Sequence, residues 1–392
     1  MNSWIVSSAR TPIGRFLGEL APLSGPELGG LAIAGAMKKL SLAASDVDEV
    51  IMGQVLSAGS GQAPARQAAL NAGLPDTIGC LSVNKVCGSG LYSVMLADRA
   101  IRSGDCRVVV AGGMESMSQA PHLLRNGRTG WKYGSQSMQD AIEQDGLRCA
   151  TGNFLMGCYA DQVARENSID RVVQDEWSLE SHRKALAAQS QGLFASEIVE
   201  VTYGKGTNVT QDGGPRADTT LEKLGKLKPA FAADGTVTAG NASSLSDGAA
   251  AVVVVNESVK RDLSSGPAFR IVGSQTHAMK PSDLFIAPAF AIKKLLQKTG
   301  KIIEEIDLFE INEAFASQTI ACMRALNIPS EKINVHGGAI ALGHPIGCSG
   351  SRVLVTLMHA LLARQKSMGV AALCLGGGEA VAMLIEVDGG SV

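Results

Sequence analysis

The run Val108-Val109-Val110-Ala111-Gly112-Gly113 is a short apolar stretch that ends in two glycines. A second run, Val370-Ala371-Ala372-Leu373-Cys374-Leu375, ends in three glycines at 376–378. Continuous apolar runs of this length, bounded by turn residues, are typical of strands that are buried on both faces. Amphipathic segments alternate with such runs, as at 90–102 and 351–364. The sequence therefore predicts an α/β fold in which helices pack on largely buried sheets.

The same order of parts occurs twice along the chain. Each half contains a helix pattern, a strand, a small-residue run with a cysteine, a second helix and a glycine-ended strand. The corresponding parts are Pro26 and Pro288 (helix start), 47–51 and 306–310 (strand), 87–90 and 348–351 (cysteine run), and 108–113 and 370–378 (glycine-ended strand). The offset is about 259 residues over much of the repeat, as from Asp48 to Asp307. This repeat predicts two similar α/β halves related by approximate twofold symmetry.

Residues 121–240 have no counterpart in the second half. The stretch is richer in polar residues, glycine and turn signals such as Asn126-Gly127 and Asp212-Gly213. We interpret it as an insertion into the first half, and such loop-rich insertions often carry binding groups. The predicted division is 1–120 with 241–267 for the first half, 121–240 for the inserted loop domain, and 268–392 for the second half.

Composition limits the possible functions. The chain has 392 residues, of which 45 % are hydrophobic, and a formal net charge of -2, so we expect a large core and no nucleic-acid binding. The longest obvious apolar run, at 249–255, is too short to cross a membrane, and no signal peptide is evident. Eight cysteines without a CxxC pair predict a cytoplasmic protein with mostly free thiols and no metal site.

Cys87 is the first candidate nucleophile. It follows a strand-like stretch and opens a helix through Gly88-Ser89-Gly90. The positive end of a helix and its unpaired N–H groups lower the pKa of a thiol, so we expect a reactive thiolate at this position. A small buried residue is the alternative, as for many cysteines. The small neighbouring residues, which would let a substrate approach, favour the functional interpretation.

His344 and Cys374 lie on glycine-rich stretches of the second half. His344 stands between Gly343 and Pro345 in irregular backbone, where its imidazole could point into a cleft and activate a thiol. A turn histidine bonded to a carbonyl is the alternative. Cys374 precedes the glycines at 376–378, whose N–H groups could bind an oxyanion while the thiol moves a proton. A core cysteine in a strand is the alternative there.

Asn312 follows the apolar strand at 306–311 and could orient a water or a carbonyl group, with a helix N-cap as the alternative. Several familiar motifs do not occur in the sequence: a GxxxxGK[ST] loop, a completed GxGxxG, a GxSxG elbow and HExxH. Nucleotide hydrolysis, Rossmann-type dehydrogenation, serine hydrolysis and zinc proteolysis therefore lose support.

These residues belong to a set of motifs that resembles the thiolases. The matching stretches occur in family order along nearly the whole chain: Asn84-Lys85-Val86-Cys87-Gly88-Ser89-Gly90, Asn312-Glu313-Ala314-Phe315-Ala316, 337–347 with its Gly-His-Pro, Cys374-Leu375-Gly376-Gly377-Gly378, and more weakly 8–14, 111–118 and 238–243. The resemblance implies the thiolase fold, in which two duplicated α/β halves form a five-layered α/β/α/β/α core with an inserted loop domain.

The resemblance also implies a role for each motif. Cys87 would carry the acyl group after activation by His344, and Cys374 would move the proton of the second acyl-CoA's α-carbon. Asn312, through a water, and His344 would form one oxyanion hole, and the N–H groups of Cys87 and Gly376 the other. Coenzyme A and its thioesters are then substrates, and no cofactor is implied. Since both thiols should share one cleft, their oxidation to an inactivating disulfide is a further hypothesis.

The implied coenzyme A site lies mainly on the loop domain. Its residues, with those beside the acyl group, are Met156, Arg216, Phe231, Ala239, Ser243, Leu245, Leu284, Ala314 and Phe315. Arg216 is a suitable anchor for the anionic nucleotide, with a solvated surface arginine as the alternative. Family resemblance further implies a homotetramer built from two tight dimers.

The expected activity is the reversible condensation of two acetyl-CoA to acetoacetyl-CoA plus CoA, as in the acetyl-CoA acetyltransferase branch of the family, within fatty-acid metabolism. Departures from the usual family residues, including Leu155, Leu284 and Glu379, leave the acyl-chain length open. A 3-ketoacyl-CoA thiolase for longer or substituted chains is therefore the first alternative. A non-catalytic acyl-CoA-binding protein is an alternative of another class, although all three candidate catalytic side chains at 87, 344 and 374 are present.

Overall fold

A computed structural model describes residues 2–263 and 266–389 of the chain. The strands are β1 Ser3–Arg10, β2 Gly14–Arg15, β3 Glu49–Gly53, β4 Gly79–Val83, β5 Val108–Ser116, β6 His122–Leu123, β7 Gln139–Asp140, β8 Val201–Tyr203, β9 Thr207–Val209, β10 Ser246–Asn256, β11 Phe269–Ala278, β12 Leu308–Ile311, β13 Met368–Leu375 and β14 Glu379–Val387. The α-helices are α1 Gly25–Lys38, α2 Pro64–Asn71, α3 Ser89–Ser103, α4 Met156–Glu166, α5 Arg171–Ser190, α6 Leu221–Gly225, α7 Glu257–Asp262, α8 Ala287–Thr299, α9 Ala316–Leu326, α10 Ala339–Leu342 and α11 Ile346–Ala363.

The main sheet contains the predicted repeat. Its strands follow the order β12-β13-β14-β11-β1-β10-β5-β3-β4, with β2 paired beside β10. In the first half β3 runs parallel to β5, and β10 runs antiparallel to β5 and β1. In the second half β12 runs parallel to β13, and β14 runs antiparallel to β13 and β11. The order β3-β5-β10-β1 thus matches β12-β13-β14-β11, and a short ladder between β1 and β11 joins the halves.

Helices cover and separate the two halves of the sheet. Leu91 of α3 and Leu354 of α11 belong to a central core that includes strand residues of both halves. Leu28 of α1 packs on the outer face of the first half, and Leu295 of α8 packs on the outer face of the second. The layers are therefore helix, sheet, helix pair, sheet and helix, which confirms the predicted five-layered fold. Helix α11 has the length and apolar composition of a membrane span, but 83 % of it is buried inside the protein.

The connections between equivalent strands differ in length. Strand β13 turns directly into β14 through three glycines, and Gly377 and Gly378 have φ of 90° and 94°, which favours glycine. The equivalent connection, from β5 to β10, spans 117–245 and carries α4, α5, α6 and the small hairpins β6–β7 and β8–β9. The predicted insertion at 121–240 falls inside this connection. The exact residue boundaries of the three-part division remain a prediction.

A buried arginine fastens the inserted segment to the core. Arg10, at the end of β1, donates hydrogen bonds to Glu197 at 2.6 Å and to Asp212 at 2.7 and 2.9 Å. Its guanidinium also lies 5.1 Å from the ring centre of Phe194. A fully buried cation is tolerated because two carboxylates surround it, and both come from the inserted segment.

Helices α3 and α11 meet backbone against backbone. A Cβ atom on Gly90 would lie 2.7 Å from the Ser351 nitrogen, and one on Gly350 would lie 2.2 Å from the Leu91 nitrogen. No side chain fits in such a gap, so both positions require glycine for close approach. The contact lies near the N-terminal ends of both helices. It therefore brings together the loop before α3 and the loop before α11.

We predict that Gly350→Ala destabilises the protein by about 3 kcal/mol or more, because the added methyl would overlap backbone that cannot move aside. The measurement is the free energy of unfolding in urea. The matched control is Gly225→Ala, also in a helix, where nothing lies within 4 Å of the added atom. Equal stability of the two variants would contradict the contact described between α3 and α11.

Candidate active site

One cavity of about 530 Å³ gathers residues from both halves and from the inserted segment. Four of the five predicted catalytic residues line it: Cys87, His344, Cys374 and Gly376. Cys87 comes just before α3, His344 comes just before α11, and Cys374 ends the buried strand β13. The glycine contact between α3 and α11 therefore sets the relative position of the first two side chains.

The Cys87 thiol is held among backbone donors. Burial raises the pKa of Cys87 to about 11, while hydrogen bonds from the N–H groups of Gly376 and of Cys87 itself lower it in part. The expected resting thiolate is therefore wrong, since desolvation outweighs the favourable helix end. Val86, directly before the nucleophile, has φ of 47°, an uncommon conformation for a β-branched residue. This strained backbone turns the thiol and its own N–H group towards the cavity.

The hydrogen bonds of His344 leave one ring nitrogen free. Its Nδ1 lies 2.5 Å from the Ser349 hydroxyl, which donates its own proton to the Pro345 carbonyl at 2.9 Å. Nδ1 must then carry the hydrogen in this pair, and Nε2 keeps a lone pair. Nε2 is buried without a protein partner, and burial lowers the pKa of His344 to about 3. The alternative of a histidine bonded to a backbone carbonyl does not occur.

Cys374 lies deeper in the cavity than Cys87. Its thiol is almost completely buried, and burial followed by the nearby Cys87 raises its pKa well above the ordinary value. A thiol in such surroundings is protonated at rest, and its thiolate is correspondingly basic. Cys87 and Cys374 are both free thiols in the structure. The hypothesis of an inactivating disulfide between them remains a prediction.

Asn312 is fully buried, and neither its amide nitrogen nor its amide oxygen has a protein partner. It does not cap a helix, because α9 begins at Ala316 with Phe315 at the N-cap position. The N-cap alternative is therefore wrong. An unpaired buried amide carries a desolvation cost of about 1–3 kcal/mol unless a water or ligand bonds to it. This cost makes Asn312 a good candidate for binding a water or a carbonyl.

Two buried carboxylates that sequence patterns did not reveal hold these loops in place. Glu313, next to Asn312, accepts hydrogen bonds from Trp177 at 3.0 Å, Ser181 at 2.7 Å, Asn334 at 3.1 Å and the Ile340 N–H group at 3.2 Å. These donors lie on α5 and on the segment that leads to His344. Glu313 thus ties the inserted segment to two catalytic loops.

The second carboxylate, Glu115, lies at the end of β5. It accepts from the N–H groups of Val55 at 3.0 Å, Leu56 at 3.2 Å and Gly347 at 2.9 Å. Burial raises the pKa of Glu115 to about 7, although the three N–H groups oppose this effect. Gly347 lies in the first turn of α11, so Glu115 anchors the helix that follows His344. A charged residue within an otherwise apolar motif was the available sequence signal.

An ion pair explains one departure from the family pattern. Glu379, which follows the three glycines, pairs with Lys85, two residues before Cys87. The ammonium of Lys85 also lies 5.3 Å from the ring centre of Tyr92. The pair therefore links the loop of the nucleophile to the loop that carries Gly376.

The predicted coenzyme A contacts divide between two adjoining cavities. The catalytic cavity is lined by eight of them: Met156, Phe231, Ala239, Ser243, Leu245, Leu284, Ala314 and Phe315. Arg216 instead lines a second cavity of about 490 Å³, which shares Ala239 and Leu245 with the first. Arg15 and Lys223 also line this second cavity and were not predicted. The same rim carries one carboxylate, Asp218, which pairs with Lys223 at 2.9 Å, so the rim keeps a net positive charge that suits an anionic nucleotide.

Comparison with known proteins gives the same family for both halves. The model described as "Thiolase, N-terminal domain" matches residues 3–258, and "Thiolase, C-terminal domain" matches residues 266–387. Acetyl-CoA acetyltransferase of Escherichia coli (strain K12) is 50 % identical over 98 % of this chain and 99 % of its own length. A probable acetyl-CoA acyltransferase of Staphylococcus aureus (strain COL) is 46 % identical over 97 % and 98 %.

The fold comparison agrees with the sequence comparison. The crystal structure of acetyl-CoA acetyltransferase from Bacillus anthracis superposes with a TM-score of 0.96 at 40 % identity, and covers 99 % of each chain. Matches of this extent include the inserted segment as well as both halves. The sequence motifs, the duplicated sheet and the shared cavity show that the chain is a member of the thiolase family.

Proposed function

We propose that this chain catalyses the reversible condensation of two acetyl-CoA molecules to acetoacetyl-CoA and free CoA, through an acyl group on Cys87. Cys87, His344, Cys374 and Gly376 line one cavity, and this cavity adjoins the second cavity with its cationic rim. This arrangement is the observation that carries the proposal. A nucleophile, a base with a free nitrogen, a second thiol and backbone donors are the groups that acyl transfer followed by carbon–carbon bond formation requires. The names of the similar E. coli and B. anthracis proteins support acetyl-CoA as the substrate.

In the first half-reaction, Cys87 attacks the thioester carbonyl and loses its proton to Nε2 of His344. Because the thiolate of Cys87 is a stronger base than the imidazole of His344, the proton stays on the Cys87 sulfur until attack begins. The N–H groups of Cys87 and Gly376 stabilise the oxyanion of the tetrahedral intermediate. The leaving CoA thiolate then takes the proton of Cys374, which leaves Cys374 as a thiolate, while His344 keeps the proton of Cys87.

In the second half-reaction, Cys374 as thiolate takes a proton from the α-carbon of another acetyl-CoA. The developing enolate oxygen is stabilised by His344 and, through a water, by Asn312. The carbanion attacks the acyl group on Cys87, acetoacetyl-CoA forms as the thiolate of Cys87 departs, and that thiolate takes its proton back from His344. The reverse sequence is thiolysis. A buried, strongly basic thiolate suits the abstraction of a weakly acidic C–H proton.

We propose that coenzyme A enters over the inserted segment, with its nucleotide near Arg216, Arg15 and Lys223 and its pantetheine arm between Ala239 and Leu245. No metal or redox cofactor takes part in these steps. We further propose that the enzyme acts in the cytoplasm on thioesters of fatty-acid metabolism, and its eight free thiols are consistent with a reducing compartment.

A 3-ketoacyl-CoA thiolase for longer chains is the second candidate. The broader name of the S. aureus relative, acetyl-CoA acyltransferase, favours it. Both candidates use the same catalytic residues, so only the depth of the acyl pocket near Leu284 separates them.

We also propose a homotetramer. Strand β4 is an edge of the main sheet and exposes Leu81, which suits pairing with a second copy. The segment around the β6–β7 hairpin exposes Trp131, Tyr133 and Met138 on the inserted segment, and exposed aromatic groups of this kind are enriched in interfaces.

We predict that Trp131→Asp combined with Tyr133→Asp yields dimers, because charge at this surface disrupts an apolar interface between dimers. Light scattering after size-exclusion chromatography gives the mass, and Leu17→Asp, another exposed apolar position, is the control. A wild-type monomer of 40.6 kDa would overturn the proposed tetramer.

We predict that the purified protein cleaves acetoacetyl-CoA in the presence of CoA, and that Cys87→Ala lowers the rate about a thousandfold or more, since the covalent intermediate is lost. Loss of absorbance by the acetoacetyl-CoA enolate measures the reaction. Cys106→Ala, which removes a partly exposed thiol that does not line the cavity, serves as the control and should keep its activity. A maximal rate on longer chains would favour the second candidate, and folded protein without activity on any chain would overturn both.

We predict that alkylation of Cys87 by iodoacetamide accelerates steadily from pH 7 to pH 10, because only the thiolate reacts and burial keeps the thiol protonated. An ordinary exposed thiol would level off near its pKa of about 8.5. Mass spectrometry of the peptide that contains Cys87 follows the modification. The peptide that contains Cys106 is not a suitable reference, because the pKa of Cys106 is also raised. Free cysteine in the same solution is the reference, and a plateau below pH 8 would contradict the neutral resting thiol.

A further inference from the structure

A third cavity, the rear cavity, adjoins the catalytic cavity at Phe285. It measures about 440 Å³ and is formed by the C-terminal part of α4 and the segment from Met279 to Phe290. One residue, Phe285, belongs to the walls of both cavities. Its neighbour Leu284 faces the catalytic cavity, and its other neighbour Ile286 faces the rear cavity. The chain therefore passes between the two spaces at Phe285.

The ring of Phe285 is part of an aromatic wall. It packs edge to face against Phe315 with ring centres 5.3 Å apart, and Phe315 packs in the same way against Phe231 at 6.1 Å. All three residues line the catalytic cavity. Phe285 itself is only 2 % exposed, so its ring fills the space between the cavities.

Hydrogen bonds hold the backbone at Phe285 in place. The Phe285 carbonyl accepts a hydrogen bond from the Cys322 thiol at 3.3 Å, and the Ile286 N–H group donates to the Asp283 carbonyl at 3.2 Å. A tied backbone keeps the wall in place when the side chain is changed. The depth available to an acyl group therefore depends on the size of the residue at 285.

We propose that Phe285 is the partition that limits the acyl group to short chains, and that its removal opens the rear cavity to the longer chains of 3-ketoacyl-CoA substrates. This inference rests on the proposed function and adds the residue that determines its chain length. The rear cavity suits such a chain because Val163, Met279, Ile286 and Phe290 supply apolar walls. Its polar residues lie at the end of α4, as Glu166 and Asn167 do, and in the turn before Phe285, as Ser282 and Asp283 do.

The gain from an opened cavity follows from burial of methylene groups. Each methylene removed from water improves transition-state binding by about fourfold. Octanoyl-length substrates carry four methylenes more than acetoacetyl-CoA. Part of the wall and the water in the cavity must rearrange. We therefore expect the kcat/KM ratio of eight to four carbons to rise at least tenfold, which is less than the product of four such factors.

The experiment compares thiolysis of 3-ketoacyl-CoA substrates with four, six, eight and ten acyl carbons by the wild type, Phe285→Ala and Phe285→Leu. The expected result is a wild type that prefers four carbons and a Phe285→Ala enzyme whose kcat/KM ratio of eight to four carbons is at least tenfold higher. The change should appear mainly in KM for the long chains, which general loosening of the fold would not produce. Phe285→Leu, which leaves less room, should give an intermediate ratio.

Phe154→Ala is the matched control, because Phe154 is an exposed phenylalanine that lines neither cavity. It should leave the ratio unchanged. Thermal midpoints of all variants are measured alongside, since a core phenylalanine stabilises the fold, and Phe285→Leu decides the result if Phe285→Ala does not fold.

Two outcomes overturn the partition: a wild type that cleaves eight carbons as well as four, and active Phe285 variants whose ratio equals that of the wild type. Either result leaves the proposed thiolysis of acetoacetyl-CoA standing. A wild type that cleaves no member of the series would instead overturn the proposed function itself.

Discussion

The close contact between α3 and α11 is the constraint on which the active site depends. Gly90 and Gly350 allow the two helices to meet without intervening side chains, and each helix starts just after a catalytic loop. Any larger residue would push the loops apart and separate Cys87 from His344. A displacement of about 1 Å is enough to lower a reaction rate by a hundredfold, so dense packing at this crossing preserves function as well as stability.

Burial then determines the chemistry of the groups that the crossing brings together. The thiols and the imidazole are kept neutral at rest, because a charge in this cavity would lack solvation. Glu313, which supports the catalytic loops, accepts hydrogen bonds from four donors. In contrast, Nε2 of His344 and the amide of Asn312 lack protein partners. The supporting carboxylate thus has its hydrogen-bond partners within the protein, whereas the reactive groups keep atoms available for substrate or water.

The repeat and the insertion were predicted from strand periodicity and glycine positions, which are local signals, whereas the four residues that share the cavity were implied together by the resemblance to thiolases. The sequence did not predict that the thiol of Cys87 is protonated at rest. A helix N-terminus is visible in sequence, whereas the extent of desolvation depends on how the folded chain packs around the thiol. Arg15 and Glu115 were missed for the same reason, since only the fold places them beside the groove and beside α11.

The two copies of the repeated sheet depend on each other for activity. Cys87 comes from the first copy, whereas His344, Cys374 and Gly376 come from the second, so neither copy contains a complete catalytic set. Two separate chains would have to find one another from dilute solution before each could act. Covalent fusion instead gives an effective concentration of about millimolar order and fixes a one-to-one ratio. The two copies are therefore interdependent, and only as one chain do they always supply the complete catalytic set.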